Sequence, residues 1–495
     1  MATGSTSNAR PSQSDSMKIA MISPEVVPFA KTGGLADVAG TLAAALERQG
    51  HELCLIMPAY RSVLQGGFSL CETREKFFVP ISNRQEEAVI FQTRLGNNVV
   101  VYLVRNDRYF DRETLYGLAQ GDYSDNAERY AFFSRAALES LRQNPVAVIH
   151  CHDWQSALVV VFLKTQAYRY TELAAAKTVF SIHNLGFQGI FPASNWALLN
   201  LDPSLFTPSY LEFYGNMNLV KGALIFADKI TTVSPTYARE IMEAEQGFGL
   251  EGVLRGRAND IVGILNGVDY TQWNPETDPW IAENYSADHL TPKASCKKSL
   301  QTALSLPPKP EVALLGMVSR LTPQKGLDLV EKCLDRLMPR PVQMIVLGSG
   351  EPRYEHFLVG AARSFPDKIA VRNDFDDPLA HQIEAGADMF LMPSLYEPCG
   401  LNQMFSLKYG TIPIVRAVGG LKDTVEDYQA EKSTGTGFAF ERYDAEAMIQ
   451  TVDRALHVFH EKEAWTALQH RAMLMDFSWD RSAQRYSNLY KQLLA

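Results

Sequence analysis

A glutamate and a glycine lie between an apolar run and a helix-like pattern in the segment SLYEPCGLNQ (394–403). The apolar residues 389–393 predict a buried parallel strand, and residues 401–409 predict a short helix that ends at Gly410. Glu397 would then lie at the carboxyl end of a strand, beside N–H groups of a helix N-terminus that can hold an anion. Glu397 is therefore the first candidate for catalysis, with simple helix capping as the alternative.

Two basic turns could supply charges for a phosphorylated ligand. Lys31 precedes Gly33 and Gly34, where glycine lets the backbone approach a ligand and lysine is a point charge for phosphate. Arg320 and Lys325, which flank a proline turn in SRLTPQKG, could converge on a diphosphate. The alternatives are a surface lysine beside a packing glycine and a basic loop in solvent.

Histidines and an aspartate follow two further strand-like runs. His150 and His152 in HCHDW would point to one face of an extended segment, but no third ligand is spaced nearby, which disfavours a metal site. Asp153 with Trp154 is more typical of a polar and aromatic corner that binds sugar, with Asp153 as a helix cap as the alternative. His183 in SIHNLG could donate a hydrogen bond to a substrate, or it could be a buried structural histidine.

One short pattern occurs twice, as GGLAD at 33–37 and GGLKD at 419–423. Both copies predict a loop-to-helix turn, and two such turns could hold opposite ends of one anionic ligand. Neither is G-x-G-x-x-G or a Walker P-loop, which counts against a simple dinucleotide-binding or phosphoryl-transfer enzyme. Cys399 has no neighbouring base in the sequence, so we interpret it as an oxidisable wall of the site rather than a nucleophile.

Alternating strand-like and helix-like runs must position these side chains, in the rhythm of a parallel α/β sheet. In the first half, strands are predicted at 18–22, 53–57, 99–104, 146–150, 178–182, 229–233 and 261–265, and helices at 35–49, 126–142 and 156–165. After a linker-like segment that begins at Asn266, strands are predicted at 312–318, 343–347, 369–372, 389–392 and 412–416, and helices at 327–337 and 378–385. The prediction is two doubly wound halves that face each other across a ligand-binding cleft.

Length, charge and cysteine usage narrow the class of protein. A chain of 495 residues is too long for one hydrophobic core. A net charge of -9 argues against nucleic acid or an anionic membrane as the main partner, and no apolar run approaches the roughly 18 residues of a membrane span. Six scattered cysteines without a CxxC pair indicate neither a zinc site nor a disulfide framework, and they fit a reducing compartment. Residues 1–16 predict a disordered leader.

Taken in order, KTGGLADV, HCHDW, SIHNLGFQG, ILNGVD, SRLTPQKG and YEPCGLNQ resemble the bacterial glycogen synthase and plant starch synthase family, from about Met17 to the C-terminus. The resemblance implies a GT-B fold of two Rossmann-like domains and retaining transfer of glucose from ADP-glucose to the non-reducing end of an α-1,4-glucan. No metal or other cofactor is implied. The expected domains are an acceptor-side domain at 17–270, a nucleotide-sugar domain at 271–475, and a helix at 476–495 that returns to the first domain. A bacterial cytoplasm, a plastid stroma or a starch granule is the implied location.

The resemblance also implies roles for the candidate residues. Arg320 and Lys325 would hold the diphosphate and stabilise the departing ADP, while His183 would bond the transferring glucose through its backbone or ring. Phe375 stands where the family often stacks an aromatic ring on adenine, and the turn after Glu397 would offer N–H groups to the donor. The implied substrate-binding residues are Lys31, Gly33, Gly34, Asp37, Asp153, Asn184, Asn266, Phe375, Cys399, Gly400 and Leu401.

Breaking a glycosyl phosphate separates charge, so cations are expected at the diphosphate and a carboxylate at the anomeric carbon. Glu397 could be a covalent nucleophile, an electrostatic stabiliser or a holder of hydroxyl groups. Related GT-B enzymes carry E-x7-E, and Phe405 at the second position counts against a two-carboxylate mechanism. The rival functions are a retaining glycosyltransferase that uses UDP-glucose or a small acceptor, and a catalytically silent glucan-binding protein.

Overall fold

The computed structural model describes residues 16–96, 98–118 and 121–495. The predicted leader therefore lies, apart from Ser16, outside the described residues. The chain divides into two compact units. The first takes the residues up to Val233 together with Ala238–Gly267 and Trp479–Ala495, and the second takes Ser234–Tyr237 and Val268–Ser478.

A mostly parallel sheet forms the centre of the first unit. In its described part the order is β14-β13-β9-β8-β1-β2-β5-β4-β3, and only the β3–β4 and β4–β5 pairs are antiparallel. Runs such as KIAMI in β1 are almost wholly apolar, as suits strands that are covered on both faces. The strands of this unit are Lys18–Ile22 (β1), Glu52–Pro58 (β2), Cys71–Ile81 (β3), Arg84–Leu95 (β4), Val99–Arg105 (β5), Gly117–Leu118 (β6), Gly121–Asp122 (β7), Val148–His152 (β8), Lys177–Ile182 (β9), Ile190–Pro192 (β10), Glu212–Phe213 (β11), Asn216–Asn218 (β12), Lys229–Thr232 (β13) and Ile261–Gly263 (β14).

Helices follow most of these strands, as the alternating sequence pattern predicts. The first nine are Gly34–Arg48 (α1), Arg61–Gln65 (α2), Asp107–Phe110 (α3), Asn126–Arg142 (α4), Ala157–Thr165 (α5), Leu219–Phe226 (α6), Pro235–Glu240 (α7), Ala244–Gly247 (α8) and Glu251–Gly256 (α9). The start of α7 belongs to the second unit. The longest, α4, buries its apolar side chains and the guanidinium groups of Arg129 and Arg135.

The second unit is built on a wholly parallel sheet, with the order β17-β16-β15-β18-β19-β20. Leu315 and Met317 pack into one buried cluster while Leu314 packs into another, because alternate residues of a strand point to opposite faces. Its strands are Ala313–Val318 (β15), Val342–Leu347 (β16), Ile369–Arg372 (β17), Met389–Met392 (β18), Ile412–Arg416 (β19) and Phe438–Phe440 (β20). Its helices are Lys293–Ala303 (α10), Leu327–Leu337 (α11), Pro352–Ser364 (α12), Asp377–Gly386 (α13), Asn402–Lys408 (α14), Gly419–Thr424 (α15), Ala445–His460 (α16) and Lys462–Met473 (α17).

The last helix, Trp479–Leu494 (α18), belongs to the first unit. Asp480 pairs with Arg48 of α1 at 2.9 Å, and Ser487 bonds His51 at 2.8 Å. The Tyr490 hydroxyl reaches His150 of β8 at 2.7 Å. This helix therefore contributes a polar side chain to the same strand that leads into Asp153.

Two of the differences between the structure and the sequence prediction lie in the central sheet of the first unit. The strand predicted at 146–150 runs instead from Val148 to His152, because His150 and His152 pair in parallel register with Val179 and Ser181 of β9. The long β3–β4 hairpin was not predicted. Its strands bury apolar side chains fully only at Val79, Ile81, Ala88 and Ile90, and most of their other residues are exposed or half-buried. They therefore lack the continuous hydrophobic run that predicts the other strands.

Candidate active site

Glu397 lies in the loop between β18 and α14 and pairs with Lys325. Its Oε2 accepts hydrogen bonds from Lys325 Nζ at 2.6 Å and from Ser394 Oγ at 3.0 Å. The residue is 5% exposed. Since α14 begins without a side-chain cap, the capping interpretation of Glu397 is wrong. The sequence-based expectation is that the cations lie at the diphosphate and the carboxylate at the anomeric carbon. In the structure, Lys325 and Glu397 are in direct contact.

Neighbouring strands explain this contact. β15 and β18 pair in parallel, so the loops that follow them leave the same edge of the sheet. Leu395 N donates to Gln324 O at 2.8 Å, which ties the two loops together. Gly326 has a φ of 74°, and a Cβ there would lie 2.1 Å from Pro393 O. Only glycine can lie this close to the Pro393 carbonyl with a positive φ, so backbone packing requires glycine at position 326, directly after Lys325.

The second glycine pair, Gly419 and Gly420, packs against the backbone of the Glu397 loop. Gly420 N donates to Glu397 O at 3.1 Å, and a Cβ at Gly420 would lie 2.0 Å from Cys399 O. Asp423, the last residue of the repeated pattern, accepts bonds from Thr236 N and Oγ1 at 2.8 and 2.7 Å. The glycine pair therefore supports the position of the catalytic candidate.

The remaining candidates of the second unit lie on loops near the same sheet edge. Arg320 follows β15, and its exposed side chain has no hydrogen bond or ion pair to any residue the structure describes. Phe375 follows β17 and is 77% exposed. Cys399 is buried, and Gly400 has a φ of 71°, where a Cβ would lie 2.4 Å from Gln403 Oε1. Leu401 is half-buried at the start of α14.

Phe405, at the second position of E-x7-E, belongs to an aromatic stack. Its ring lies parallel to that of Trp273, with a centroid distance of 4.0 Å and an interplanar angle of 3°. The His381 ring stacks on Trp273 at 3.8 Å and 11°. A carboxylate at position 405 would lose this stacking. Packing against Trp273 therefore accounts for phenylalanine where the motif has a glutamate.

In the first unit, the Lys31 turn connects β1 to α1 and is held by a buried glutamate, Glu25, that is not among the predicted site residues. Lys31 Nζ pairs with Asp37 Oδ1 at 3.0 Å. Glu25, 3% exposed, accepts hydrogen bonds from Thr32 N, from Thr32 Oγ1 at 2.7 Å and from the Tyr116 hydroxyl. The one available sequence signal was an acid inside the otherwise apolar run PEVVPF. Glu25 therefore shapes the turn that carries Lys31.

Gly33 caps α1 at its N-terminus, and Gly34 is the first residue of the helix. A Cβ at Gly33 would meet no described atom within 4 Å, so nothing in the described protein requires glycine there for packing. This open position is compatible with close approach of a ligand to the backbone. It differs from Gly420, where the protein backbone itself fills the space.

Asp153 follows β8 with a φ of 55° and holds the start of the next loop. Its Oδ1 accepts the backbone N–H of His183 at 2.8 Å, and the adjoining short helix has no side-chain cap. The helix-cap interpretation of Asp153 is therefore wrong. Burial raises its pKa to about 7, against the lowering effect of the His183 and Asn184 backbone N–H groups. The bond also occupies the backbone N–H of His183, which leaves the ring as the donor available to a substrate.

His183 belongs to a row of three imidazoles. His152 Nδ1 lies 2.9 Å from His183 Nε2, and His150 lies between Tyr490 OH at 2.7 Å and Ser181 Oγ at 2.6 Å. Burial lowers the pKa of His150 and of His183 to about 3 and that of His152 well below its ordinary value. All three rings are therefore neutral near pH 7.

Asn184 and Asn266 follow β9 and β14, at the same edge of the first sheet. Asn184 Oδ1 accepts Gly186 N at 3.0 Å in a local turn. Asn266 is 6% exposed, and its Oδ1 has no hydrogen-bond partner in the described protein. A buried acceptor without a partner is costly, so Asn266 Oδ1 is a candidate for a bond to a ligand.

The described ranges can be considered for groups of metal ligands and for membrane-spanning helices. Within them, no group of three or more His, Cys, Asp or Glu side chains is placed to hold a metal ion. No helix among residues 16–96, 98–118 and 121–495 is both long and apolar enough to cross a membrane.

The main candidate residues fall into two groups, one in each unit. The second unit holds Glu397, Lys325, Arg320 and the 399–401 turn, and the first holds Lys31, Asp153, His183 and Asn266.

Comparison with known proteins identifies the family of the chain. The family model described as starch synthase catalytic domain matches residues 18–256, and that described as glycosyl transferases group 1 matches residues 303–466. The glycogen synthase of Koribacter versatilis is 47% identical, over 96% of this chain and 98% of its own length. Glycogen synthase 2 of Geobacter sulfurreducens is 46% identical, over 96% and 98%.

Solved structures agree with this assignment. The catalytic domain of starch synthase IV from Arabidopsis thaliana, bound to ADP and acarbose, matches with a TM-score of 0.88 and 33% identity, over 97% of this chain and 99% of its own. Sucrose-phosphate synthase from Thermosynechococcus elongatus matches with a TM-score of 0.60 at 16% identity, over 96% and 99%, which shows the fold alone. The chain therefore belongs to the glycogen synthase and starch synthase family of GT-B glycosyltransferases, enzymes that transfer glucosyl units to a glucan.

Proposed function

We propose that the chain transfers glucose from ADP-glucose to the non-reducing end of an α-1,4-glucan, such as glycogen, starch or a malto-oligosaccharide, with retention of the anomeric configuration. The observation that carries the proposal is the pair of half-buried Lys325 and buried Glu397, 2.6 Å apart at the carboxyl edge of a parallel sheet. Such a pair sets a cation and a carboxylate beside one another where a glycosyl phosphate separates its charges. The bound ADP of the starch synthase IV structure supports adenine as the donor base.

Lys325 can serve the diphosphate without leaving Glu397. An ammonium group has three donors, and Glu397 takes one of them at 2.6 Å. The others remain for phosphate oxygens, and the exposed guanidinium of Arg320 in the same loop adds a bidentate contact. Together they stabilise the negative charge that builds on the departing ADP. The exposed ring of Phe375 stacks on the adenine in this proposal, and the turn at Cys399, Gly400 and Leu401 offers backbone N–H groups to the donor.

Glu397 faces the transferring glucose through its second oxygen. Its Oε2 already accepts bonds from Lys325 and Ser394, whereas no described residue donates to Oε1. A carboxylate oxygen near the anomeric carbon stabilises the positive charge that develops there. In this proposal Lys325 keeps its contact with Oε2, 2.6 Å away, while Oε1 faces the sugar.

The first unit supplies the sugar contacts in this proposal. The His183 ring donates to a glucose hydroxyl, and the unpartnered Asn266 Oδ1 accepts from another. Lys31, with Gly33 and Gly34, contacts the donor phosphate and glucose, while Asp37 holds Lys31 at 3.0 Å. Asp153 and Asn184 are the further sugar-binding residues of the first unit in this proposal. The bacterial relatives favour the bacterial cytoplasm over a plastid as the location.

Labelled-glucose incorporation tests the proposal. The purified chain is given ADP-[14C]glucose or UDP-[14C]glucose with glycogen as acceptor, and the product is digested to establish α-1,4 linkage. Faster incorporation from ADP-glucose is expected, and E397Q should lower kcat far more than it raises KM, since the carboxylate acts on charge that is largest in the transition state. A preference for UDP-glucose or a small acceptor would favour the related transferase. Incorporation from neither donor would leave a glucan-binding protein.

A further inference from the structure

His152 has no role in the proposed reaction, yet it is the residue that touches the His183 ring. Its Nδ1 lies 2.9 Å from His183 Nε2. The ring is fully buried, and its other nitrogen, Nε2, has no hydrogen-bond partner in the described protein. One imidazole must donate and the other must accept across this contact, because both rings are neutral.

The orphaned nitrogen decides the direction of that hydrogen bond. If His183 donated through Nε2–H, His152 would carry its own proton on Nε2, as a buried N–H without an acceptor. If His152 donates through Nδ1–H, its Nε2 is a bare acceptor instead. Orphaned buried N–H groups are rarer in folded proteins than under-satisfied acceptors, so the second arrangement is favoured. His183 then accepts on Nε2 and carries its proton on Nδ1.

We propose that His152 is a positioning residue that fixes His183 in the Nδ1–H tautomer, so that the ring presents a neutral donor to a hydroxyl of the transferring sugar. The inference rests on the proposed function only for the identity of that hydroxyl. A neutral donor suits a sugar, because it forms the bond without adding charge beside the anomeric carbon.

The surroundings of His152 hold its ring still. Its backbone pairs with Ser181 of β9, and its carbonyl accepts from Ser156 Oγ at 2.8 Å. The His150 ring packs against it with a centroid distance of 4.2 Å. His150 is itself bonded on both nitrogens, to Tyr490 of α18 and to Ser181. Because these contacts fix the His152 ring, its hydrogen bond can hold the His183 ring in one orientation.

Nitrogen-15 NMR of histidine-labelled protein tests the tautomer directly. The chemical shifts of the two ring nitrogens of His183, assigned by their loss in H183N, report which nitrogen carries the proton. Protonated Nδ1 and bare Nε2 are expected for His183 across pH 6–8. Protonated Nε2, or an imidazolium in this range, would overturn the proposal.

Three variants of similar size separate positioning from packing. H152N keeps a donor near the position of Nδ1, and H152L offers neither donor nor acceptor. H152D offers only an acceptor when its carboxyl is ionised, so its spectra are recorded at the alkaline end of the pH series. H152N should retain the His183 Nδ1–H tautomer and stay within several-fold of wild-type kcat, whereas H152L should lose about tenfold or more, as expected for one lost hydrogen bond of about 1.4 kcal/mol. H152D should move the His183 proton to Nε2 in the NMR spectrum. H356Q, at an exposed histidine of α12, is the unaffected control.

The outcomes are separable from those of the proposed function. Equal losses in H152N and H152L, or wild-type kcat in H152L, would overturn the positioning role. If H152L does not fold, the comparison of H152N with H152D still decides, because an unchanged His183 tautomer in H152D contradicts the proposal. Failure of the wild type to transfer glucose would instead sink the proposed function and leave the NMR result standing.

Discussion

Loss of Lys325 should destabilise the second unit more than loss of Glu397, because Glu397 is the more buried partner. The side chains are 19% and 6% exposed, respectively, and their charges lie 2.6 Å apart. Coulomb's law with an effective dielectric constant of about 20 gives a gross attraction of about 6 kcal/mol, most of which desolvation offsets. K325M leaves a buried carboxylate with Ser394 as its one described partner, at a cost of about 3 kcal/mol.

E397Q should cost only about 1 kcal/mol, because the ammonium group keeps access to solvent and the glutamine amide can still accept a bond. The double variant removes both charges, so its loss should fall below the sum of the single losses by about 2 kcal/mol. K332M is the matched control, since Lys332 is 62% exposed and pairs with Asp328 within one helix at 3.1 Å. It should change the free energy of unfolding by less than about 0.5 kcal/mol.

Urea unfolding of the wild type and the four variants without ligand measures these differences. A chain of two units need not unfold in one step, so hydrogen exchange of the β18 amides should report the stability of the second unit. A larger loss in E397Q than in K325M would refute the expectation that the more buried charge costs more when it is left unpaired, and the expected coupling has its own test. That coupling would be refuted by strict additivity in the double variant, which would mean that the two charges do not interact.

Three further outcomes follow from the packing. G420A should lower the free energy of unfolding by about 2–3 kcal/mol and reduce kcat, because its Cβ would lie 2.0 Å from Cys399 O. G360A, inside α12 with open space around it, should raise the free energy of unfolding by up to about 1 kcal/mol. Thermal unfolding measures both changes. Burial lowers the pKa of His150 to about 3 from 6.5, so the folding free energy that this neutral ring contributes is present above pH 6.5 and is lost as pH falls towards 3. H150Q should flatten the fall of unfolding free energy over this window by up to about 1.4 kcal/mol per pH unit, while H356Q should not. E25Q should raise the KM for ADP-glucose about tenfold by loosening the Lys31 turn, measured by initial rates.

The fold class could be predicted from the sequence, and so could the sheet edges at which the candidate residues lie. Parallel α/β sheets expose the loops after their strands at one edge, so motifs that follow apolar runs, such as those around Arg320 and Glu397, could be placed there. Which side chains contact one another could not be predicted from the sequence. Lys325 and Glu397 are 72 positions apart, and their contact depends on β15 lying next to β18 with β16 and β17 displaced to one side. No local pattern encodes that strand order.

Short motifs misled where the same residue type serves packing as well as binding. The two GGL turns are alike in sequence, but their glycines have different surroundings. The backbone of Cys399 occupies the space that a Cβ at Gly420 would need, whereas a Cβ at Gly33 would meet no described atom within 4 Å. His150 and His152 share one face, as their spacing predicts. Their partners include Tyr490, 340 positions from His150, and His183, 31 positions from His152, so the two rings belong to one hydrogen-bonded row. Only the folded chain distinguishes these uses.

The ion pair also bears on which of three roles suits Glu397. Its Oε2 accepts one bond from an ammonium group and one from Ser394. A carboxylate whose charge is drawn towards a cation is a weaker nucleophile, yet it still stabilises positive charge at a nearby carbon. The second position of E-x7-E is a ring stacked on Trp273, so that motif supplies no second acid to share a proton or balance a covalent step. The surroundings of Glu397 thus suit electrostatic stabilisation and hydroxyl binding better than covalent attack.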